Sequence, residues 1–374
     1  MKYVCAPAAA LLFSCAAHAQ SSVTLYGLID TALSWQTHQV GSTASNGRAT
    51  SSGSSVALGP GFFNGSRWGL FGTEDLGGGT SAIFRLESGF NPTTGVSLQG
   101  SREFGRQAYV GLKGNFGQLT LGRQYSLPFE TLLPYDIIGW ANSAASDVWV
   151  QQFAGSRLDN TAKYTLNVQK WKFAAAYSFG GQAGSVSHGS TYSVGLNYQG
   201  DVFSAGLTAQ QAKDLAGNKQ SNLGAGALYV TGPVTVSAYY LYTRRDGRFT
   251  PTAGQDFSPT YGSYAQLYTN PGNTNIGTSS EARTDHVFQL GTTWQATPAL
   301  QFKAAAIYDL GRHVNANGEG GNKLSAFLTG DYLLSKRTDV YLAGAYSTVS
   351  SAFNGPYAGY DDSASVTLGL RHRF

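Results

Sequence analysis

The chain has 374 residues, is rich in Gly, Tyr and Phe, and only 12% of it is charged, with a formal net charge of +4. A charged fraction about half the roughly 25% of soluble domains argues against an ordinary water-soluble surface, and the lack of any run of about 20 apolar residues after residue 20 excludes helical membrane spans. The weak positive charge, with no Lys/Arg run, gives no sign of nucleic acid.

In chain order, residues 1–19 read as a secretory signal. Lys2 marks the n-region, 8–17 form the apolar stretch, and Ala17-His18-Ala19 is a small-x-small cleavage site before Gln20, leaving a mature domain of 20–374. A lipoprotein signal at Cys15 competes, but bulky Phe13 fits it poorly. Both cysteines, Cys5 and Cys15, fall inside this segment, so no disulfide framework is expected. A chain so built must be held by backbone ladders and packing, as in a closed barrel.

From residue 22 onward the pattern has a two-residue period. Sixteen strands are expected at about 22–36, 61–74, 79–91, 101–113, 117–125, 157–167, 171–179, 189–199, 201–213, 221–231, 233–245, 281–296, 298–311, 322–334, 338–350 and 362–374. In the last of these, Val366, Leu368, Leu370 and Phe374 share one face, and Thr367, Gly369, Arg371 and Arg373 the other. Tight turns carrying Gly, Asn, Asp or Pro alternate with long polar loops at 37–61, 125–156, 246–280, 311–321 and 350–361. This is the rhythm of an up-and-down transmembrane β-barrel, all-β and antiparallel, with turns in the periplasm and loops outside. A barrel of about sixteen strands leaves an aqueous lumen. A soluble sandwich shares the alternation, but aromatics such as Tyr26, Trp68, Tyr109, Tyr164, Tyr346 and Phe374 near strand ends suit interfacial girdles.

Several segments, SSVTLYGLIDTAL, SRWGLFGTEDLGGGTSAIFRLESGF, RQAYVGLKGNFGQLTLGRQY, RLDNTAKYT and the ending GLRHRF, resemble the general porins of Gram-negative outer membranes, in the branch typical of β-proteobacteria. The resemblance runs over essentially the whole mature chain. It implies a sixteen-stranded barrel, a homotrimer set in outer-membrane lipid and lipopolysaccharide, and a third extracellular loop folded inward. It also implies passage of small polar solutes and ions with no cofactor, and a C-terminal aromatic, Phe374, read by the barrel-assembly machinery.

The same resemblance places arginines on the pore wall opposite acids on the inward loop, and Arg67, Arg106 and Arg157 match the wall positions. Alternation independently turns Arg67 away from Trp68 and Leu70, and Arg157 away from Leu158 and Tyr164. Arg106 is out of phase: counted back from Val110 and Leu112 it faces lipid, where an arginine costs about 2–4 kcal/mol at the midplane, so a bulge or a place above the apolar band is expected. Arg85, on one face with Glu87, and Lys163, on one face with Arg157, are further lumen candidates; each also reads as a solvated charge neutralised by a neighbour.

The 125–156 segment is the candidate constriction loop, being long and unusually apolar. Its acids, Glu130, Asp136 and Asp147, are the candidates to face the wall, although the segment lacks the proline-glutamate-phenylalanine-glycine-glycine motif of some porins. Opposed rows of fixed charge would screen solutes by size and charge, and the excess of cations points to mild anion selectivity. The alternatives are a substrate-specific channel, with Tyr239, Tyr240 and Tyr242 as an aromatic track, and an outer-membrane hydrolase. For the latter no Ser/His/Asp cluster stands out, and no His/Cys/Asp spacing fits a metal.

Overall fold

The computed structural model describes residues 22–43, 49–139, 153–252, 281–314, 317–353 and 360–374, with backbone alone for 39–43 and 49–52. The expected leader, 1–19, and Asp147 lie outside these residues. The strands are β1 (Ser22–Thr43), β2 (Ala49–Pro60), β3 (Arg67–Gly77), β4 (Thr80–Gly89), β5 (Gln107–Gly114), β6 (Gly117–Tyr125), β7 (Arg157–Val168), β8 (Trp171–Ser178) and β9 (Thr191–Gln199). They continue as β10 (Phe203–Lys213), β11 (Lys219–Thr231), β12 (Val234–Arg245), β13 (Arg283–Gln295), β14 (Leu300–Arg312), β15 (Gly321–Leu333), β16 (Thr338–Ser351) and β17 (Asp362–Arg373). One short helix, α1 (Leu127–Leu132), runs into a 3-10 turn, Leu133–Tyr135.

These seventeen strands make sixteen staves. Both β2 and β3 lie antiparallel on β1, residues 60–49 against 31–43 and residues 73–67 against 22–28, so they are two halves of one stave interrupted at 61–66. Here the structure corrects the sequence reading. Within the span 37–61, expected as a loop, residues 37–43 and 49–60 instead continue the β1–β2 ladder, and the strand expected from 61 begins at Arg67. Ser, Gly and Thr on both faces erase the alternation, whereas a ladder needs only backbone groups.

Every other neighbour pair is antiparallel, and β1 closes the ring on β17 from Leu28↔Arg373 to Gln36↔Ser365. Two backbone bonds extend the seam past the last ladder pair: Gly27 and Phe374 exchange N–H and C=O at 3.0 Å each. Gly27 is small for a reason, since a Cβ there would lie against the Phe374 ring and 2.7 Å from the Arg67 carbonyl. At the turn ends, Gly77, Gly78, Gly79 and Gly232 take positive φ, as tight hairpins require.

Burial is inverted relative to a soluble protein. Leu207, Leu223, Leu290, Leu328, Leu342 and Leu368 are each more than half exposed, while their strand neighbours Thr208, Asn222, Gln289, Thr329, Ala343 and Thr367 are buried. An exposed apolar surface running round the wall fits lipid and excludes the sandwich. At the turn end it carries outward aromatics, with Trp171 5.1 Å from Tyr198 and Trp294 5.7 Å from Phe302 between ring centroids. Tyr26 and Tyr109 do not join this girdle, contrary to expectation: Tyr26 donates to Glu87 at 2.8 Å, and Tyr109 sits opposite Arg85 in the ladder.

The inside of the wall is itself two-sided. On the β12–β16 side, Tyr239, Leu241, Val287, Ile307, Phe327, Tyr341 and Val349 form an apolar cluster with Phe62 and Phe63 from the β2–β3 interruption and Leu132, Tyr135, Ile138 and Phe153 from the β6–β7 connection. The β3–β8 side carries a second set of inward charges, in which cations outnumber acids.

Candidate functional site

The β6–β7 connection is tied at its neck. Ser126 caps α1 by accepting from the Phe129 N–H at 3.3 Å, and its hydroxyl donates to the Gly155 carbonyl at 2.6 Å, while its N–H donates to Ser156 at 3.0 Å. Pro128 suits the first turn of the helix. From there residues 127–139 lie against inward-facing positions of β9–β13. Asn197 donates to the Thr131 carbonyl at 3.1 Å, and Ser237 donates to the Tyr135 carbonyl at 2.6 Å. Gly206 and Gly226 leave the space that the Tyr135 ring fills. Burial pushes the Tyr135 phenol above its usual range, opposed by the Asn197 amide that donates to it. On the return, Ala154 accepts from Gln210 at 2.6 Å and Phe153 from Asn222 at 2.7 Å.

Across from this segment stand the wall cations. Glu87 is their hub: it accepts from Arg106 Nε and from the Tyr26 hydroxyl, both at 2.8 Å. Arg106 also donates to the Tyr125 hydroxyl at 2.8 Å, and the Arg157 guanidinium lies over the Tyr125 ring at 4.9 Å. Arg67 is within electrostatic range of Arg106, Arg157 and Glu87. Thus Arg67, Arg106 and Arg157 come together, from β3, the residue before β5, and β7. Arg85 sits one step toward the turns, 5.5 Å from the Tyr26 ring and 5.7 Å from the Phe71 ring.

The phase of Arg106 has a simple resolution. The ladder of β5 begins at Gln107, so Arg106 precedes the regular alternation, and its side chain turns inward to Glu87.

Glu130 reaches the wall, pairing with Lys163 at 2.5 Å and Lys172 at 3.7 Å. Asp136 is directed elsewhere: it accepts from the Ile138 N–H at 2.9 Å, close to the apolar side of the lumen. The two acids therefore do not act as one row.

The sequence reading missed a second cationic node. Asp159 accepts from Arg102, at 2.9 and 2.7 Å to its two oxygens, and from Arg123 at 2.6 Å. Arg123 should face lipid if alternation ran unbroken from Leu119 and Leu121, but the β6–β7 register shifts between Gly122 and Gln124. That bulge turns Arg123 inward. A glycine followed by a charge in the wrong phase was the available signal, and in the structure Gly122 takes φ +132. Of the aromatic track suggested for a substrate-specific channel, Tyr239 faces the lumen while Tyr240 and Tyr242 lie on the outer face beside His286, so these three do not line one path; Tyr261, Tyr264 and Tyr268, which the same reading drew on, lie outside the described residues.

The comparisons with known proteins agree with this geometry. Residues 6–352 match the Gram-negative porin family. An outer-membrane porin protein of Bordetella pertussis is 31% identical over 98% of this chain and 98% of its own length. Outer-membrane porin protein 32 of Delftia acidovorans is 32% identical over 63% of this chain and 68% of its own. Among solved structures, the anion-selective porin from Comamonas acidovorans superposes with a TM-score of 0.70 at 24% identity, covering 95% of this chain and all of that one, a likeness of fold.

Proposed function

The chain belongs to the Gram-negative porin family, and on that premise we propose that its barrel is a passive, water-filled channel that prefers small anions over cations. It is an outer-membrane porin and not an enzyme. The observation that supports anion preference is the excess of inward cations on β3–β8. Glu87 is engaged by Arg106, Asp159 by Arg102 and Arg123, and Glu130 by Lys163 and Lys172, while among the described residues Arg67 Nε and Arg85 Nε have no hydrogen-bond acceptor. An excess of positive charge beside the water path concentrates anions and excludes cations, a bias of several kT over a charged surface.

In this reading the constriction lies between Arg67, Arg85, Arg106, Arg157 and Lys163 on the wall and the segment carrying Glu130 and Asp136. The working unit is a homotrimer, and Phe374 serves both as closing residue and as assembly signal. The test is a reversal potential across a planar bilayer in a salt gradient. Chloride preference supports the reading; clear potassium preference defeats it. Closure of each insertion in three equal steps supports the trimer.

A further inference from the structure

Toward the turn end of the β3–β6 wall the lumen surface departs from its polar pattern. Two cross-strand rows face inward there, Phe71↔Arg85↔Tyr109 and, four residues nearer the turns, Ser81↔Lys113↔Gln118. Between the rows Ile83 also faces inward, while its ladder partner Gly111 adds no side chain. The residues of the two rows and Ile83 line a recess of about 410 Å³, within the roughly 300–1,000 Å³ of small-molecule pockets. Its character is mixed: Phe71 is 37% exposed although it points into the lumen, and it stands beside cations and hydroxyl and amide groups.

The two cations of the recess are not cancelled. Among the described residues neither Arg85 nor Lys113 forms an ion pair, and Arg85 Nε is buried without an acceptor. The nearby acids are directed elsewhere: Glu87 accepts from Arg106 and Tyr26, Glu130 pairs with Lys163 and Lys172, and Asp75 accepts from the Gly77 N–H at 2.9 Å. The Arg85 guanidinium is held by rings instead, 5.5 Å from the Tyr26 centroid and 5.7 Å from the Phe71 centroid. Such stacking engages the face of the guanidinium and leaves its N–H edge for an anion. A fixed fork beside the Phe71 ring and Ile83 is the complement of a carboxylate carried on a planar apolar body.

We propose that this recess is a subsite for small aromatic carboxylates: the Arg85 fork takes the carboxylate, the ring packs among Phe71, Ile83 and Tyr109, and Lys113 adds positive potential at the far end, about 13 Å along the strand. The combination of features selects the occupant. An inorganic anion would use the cations and leave Phe71 in water, and a neutral ring would leave the fork unpaired, whereas a carboxylate on a ring satisfies both. The recess lies on the turn side of the group formed by Arg67, Arg106 and Arg157, so a solute that has passed those arginines dwells there before it leaves. This deepens the channel reading and rests on its open lumen, adding a class of solute to a sign of charge.

The probe is para-fluorobenzoate, titrated into the purified full-length protein in detergent at neutral pH and followed by fluorine NMR. Fluoroacetate serves as the anion without a ring, and para-fluorobenzyl alcohol as the ring without a charge. Saturable binding of the benzoate, about tenfold tighter than either comparator, is expected. Arg85→Gln should weaken it about tenfold and Phe71→Ala about fivefold. Lys113→Gln should weaken it only about twofold, because its charge is exposed and screened. Should Arg85→Gln misfold, Arg85→Lys keeps the charge, loses the fork, and is expected to fall between that variant and the parent. Equal binding of fluoroacetate makes the recess a free-anion site, equal binding of the alcohol makes it an apolar crevice, and either overturns the proposal. An Arg85→Gln affinity equal to the parent's overturns it as well, and a loss at Arg157→Gln as large as at Arg85→Gln moves the solute to the constriction and does the same. None of these readouts needs ion flow, so a reversal potential can defeat anion preference while the subsite stands, and the titration can fail on a chloride-selective pore.

Discussion

Substitution at Arg157 gives the sharpest test of charge control. The residue is 6% exposed, stacked on Tyr125 and close to Arg67, so its charge acts on passing ions from a fixed place. An ion about 6 Å from the guanidinium feels about 0.7 kcal/mol in a water-like dielectric, and at 0.1 M salt a Debye length of about 10 Å leaves roughly half of that. Neutralisation by Arg157→Gln acts on both ions with opposite sign, so the chloride-to-potassium permeability ratio should fall about fourfold. Arg157→Glu removes one charge and adds its opposite, doubling the logarithm to about thirteenfold. Pairing of the new carboxylate with Arg67 or Arg106 does not hide the change, because the net charge seen by the ion is the same. Reversal potentials in a tenfold KCl gradient read both variants, with Arg157→Lys as the charge-conserving control. At 1 M salt, where the Debye length is about 3 Å, most of the difference should vanish. Ratios that stay at the parent value at low salt, or move toward chloride, would refute charge control at this position.

Three further outcomes are expected. Gly27→Leu puts a side chain against the Phe374 ring and the Arg67 carbonyl, an overpacking cost of about 1–3 kcal/mol, and should lower the heating temperature at which the barrel loses its compact gel mobility. Asp30→Ala removes the acceptor of the Tyr341 hydroxyl (2.7 Å) and of the Asn64 N–H (2.9 Å), so residues 61–66 lose their tether to the Asp30 carboxylate at a cost of about 1–3 kcal/mol per orphaned group, and single-channel conductance should rise. Asp201→Asn at the β9–β10 turn should change nothing measurable. Lys170 depresses the Asp201 carboxyl, so the pair stabilises above the carboxylate range and is lost as pH falls through it, but both groups are fully open to screening salt.

The staves were legible wherever the two faces differ in polarity. From β9 to β17 the alternation of outward Leu, Tyr and Phe with inward Ser, Gln and Asp fixes both strand and face. The β1–β2 extension was not, because residues 37–55 carry Ser, Gly and Thr on both sides and leave no period to read. Face assignment failed for Tyr26 and Tyr109 because tyrosine suits both an interface and a wet lumen. Arg123 was lost to a bulge, which shifts phase without changing composition. What sequence could not supply was the partner set: Asp159 lies 36 residues from Arg123 and 57 from Arg102, and only the ladder brings them together.

The position of the filler on one side of the lumen matters as much as the cations on the other. Phe62, Phe63 and the 127–139 segment occupy the β9–β16 side, and that side also holds charges that neutralise one another: Arg371 bonds Asp339 and Asp331, and Arg283 bonds Asp285. In the proposed channel, water and ions pass on the β3–β8 side, near Arg67, Arg85, Arg106 and Arg157. The field an ion meets is thus set by how closely the filler presses it toward that wall, since Coulomb energy falls with distance and screening steepens the fall. Loosening the filler through Asp30 should raise conductance and at the same time weaken chloride preference, with every wall arginine still in place. A channel whose selectivity came from the arginines' number alone would widen without losing preference, so measuring both quantities on one variant separates the two accounts.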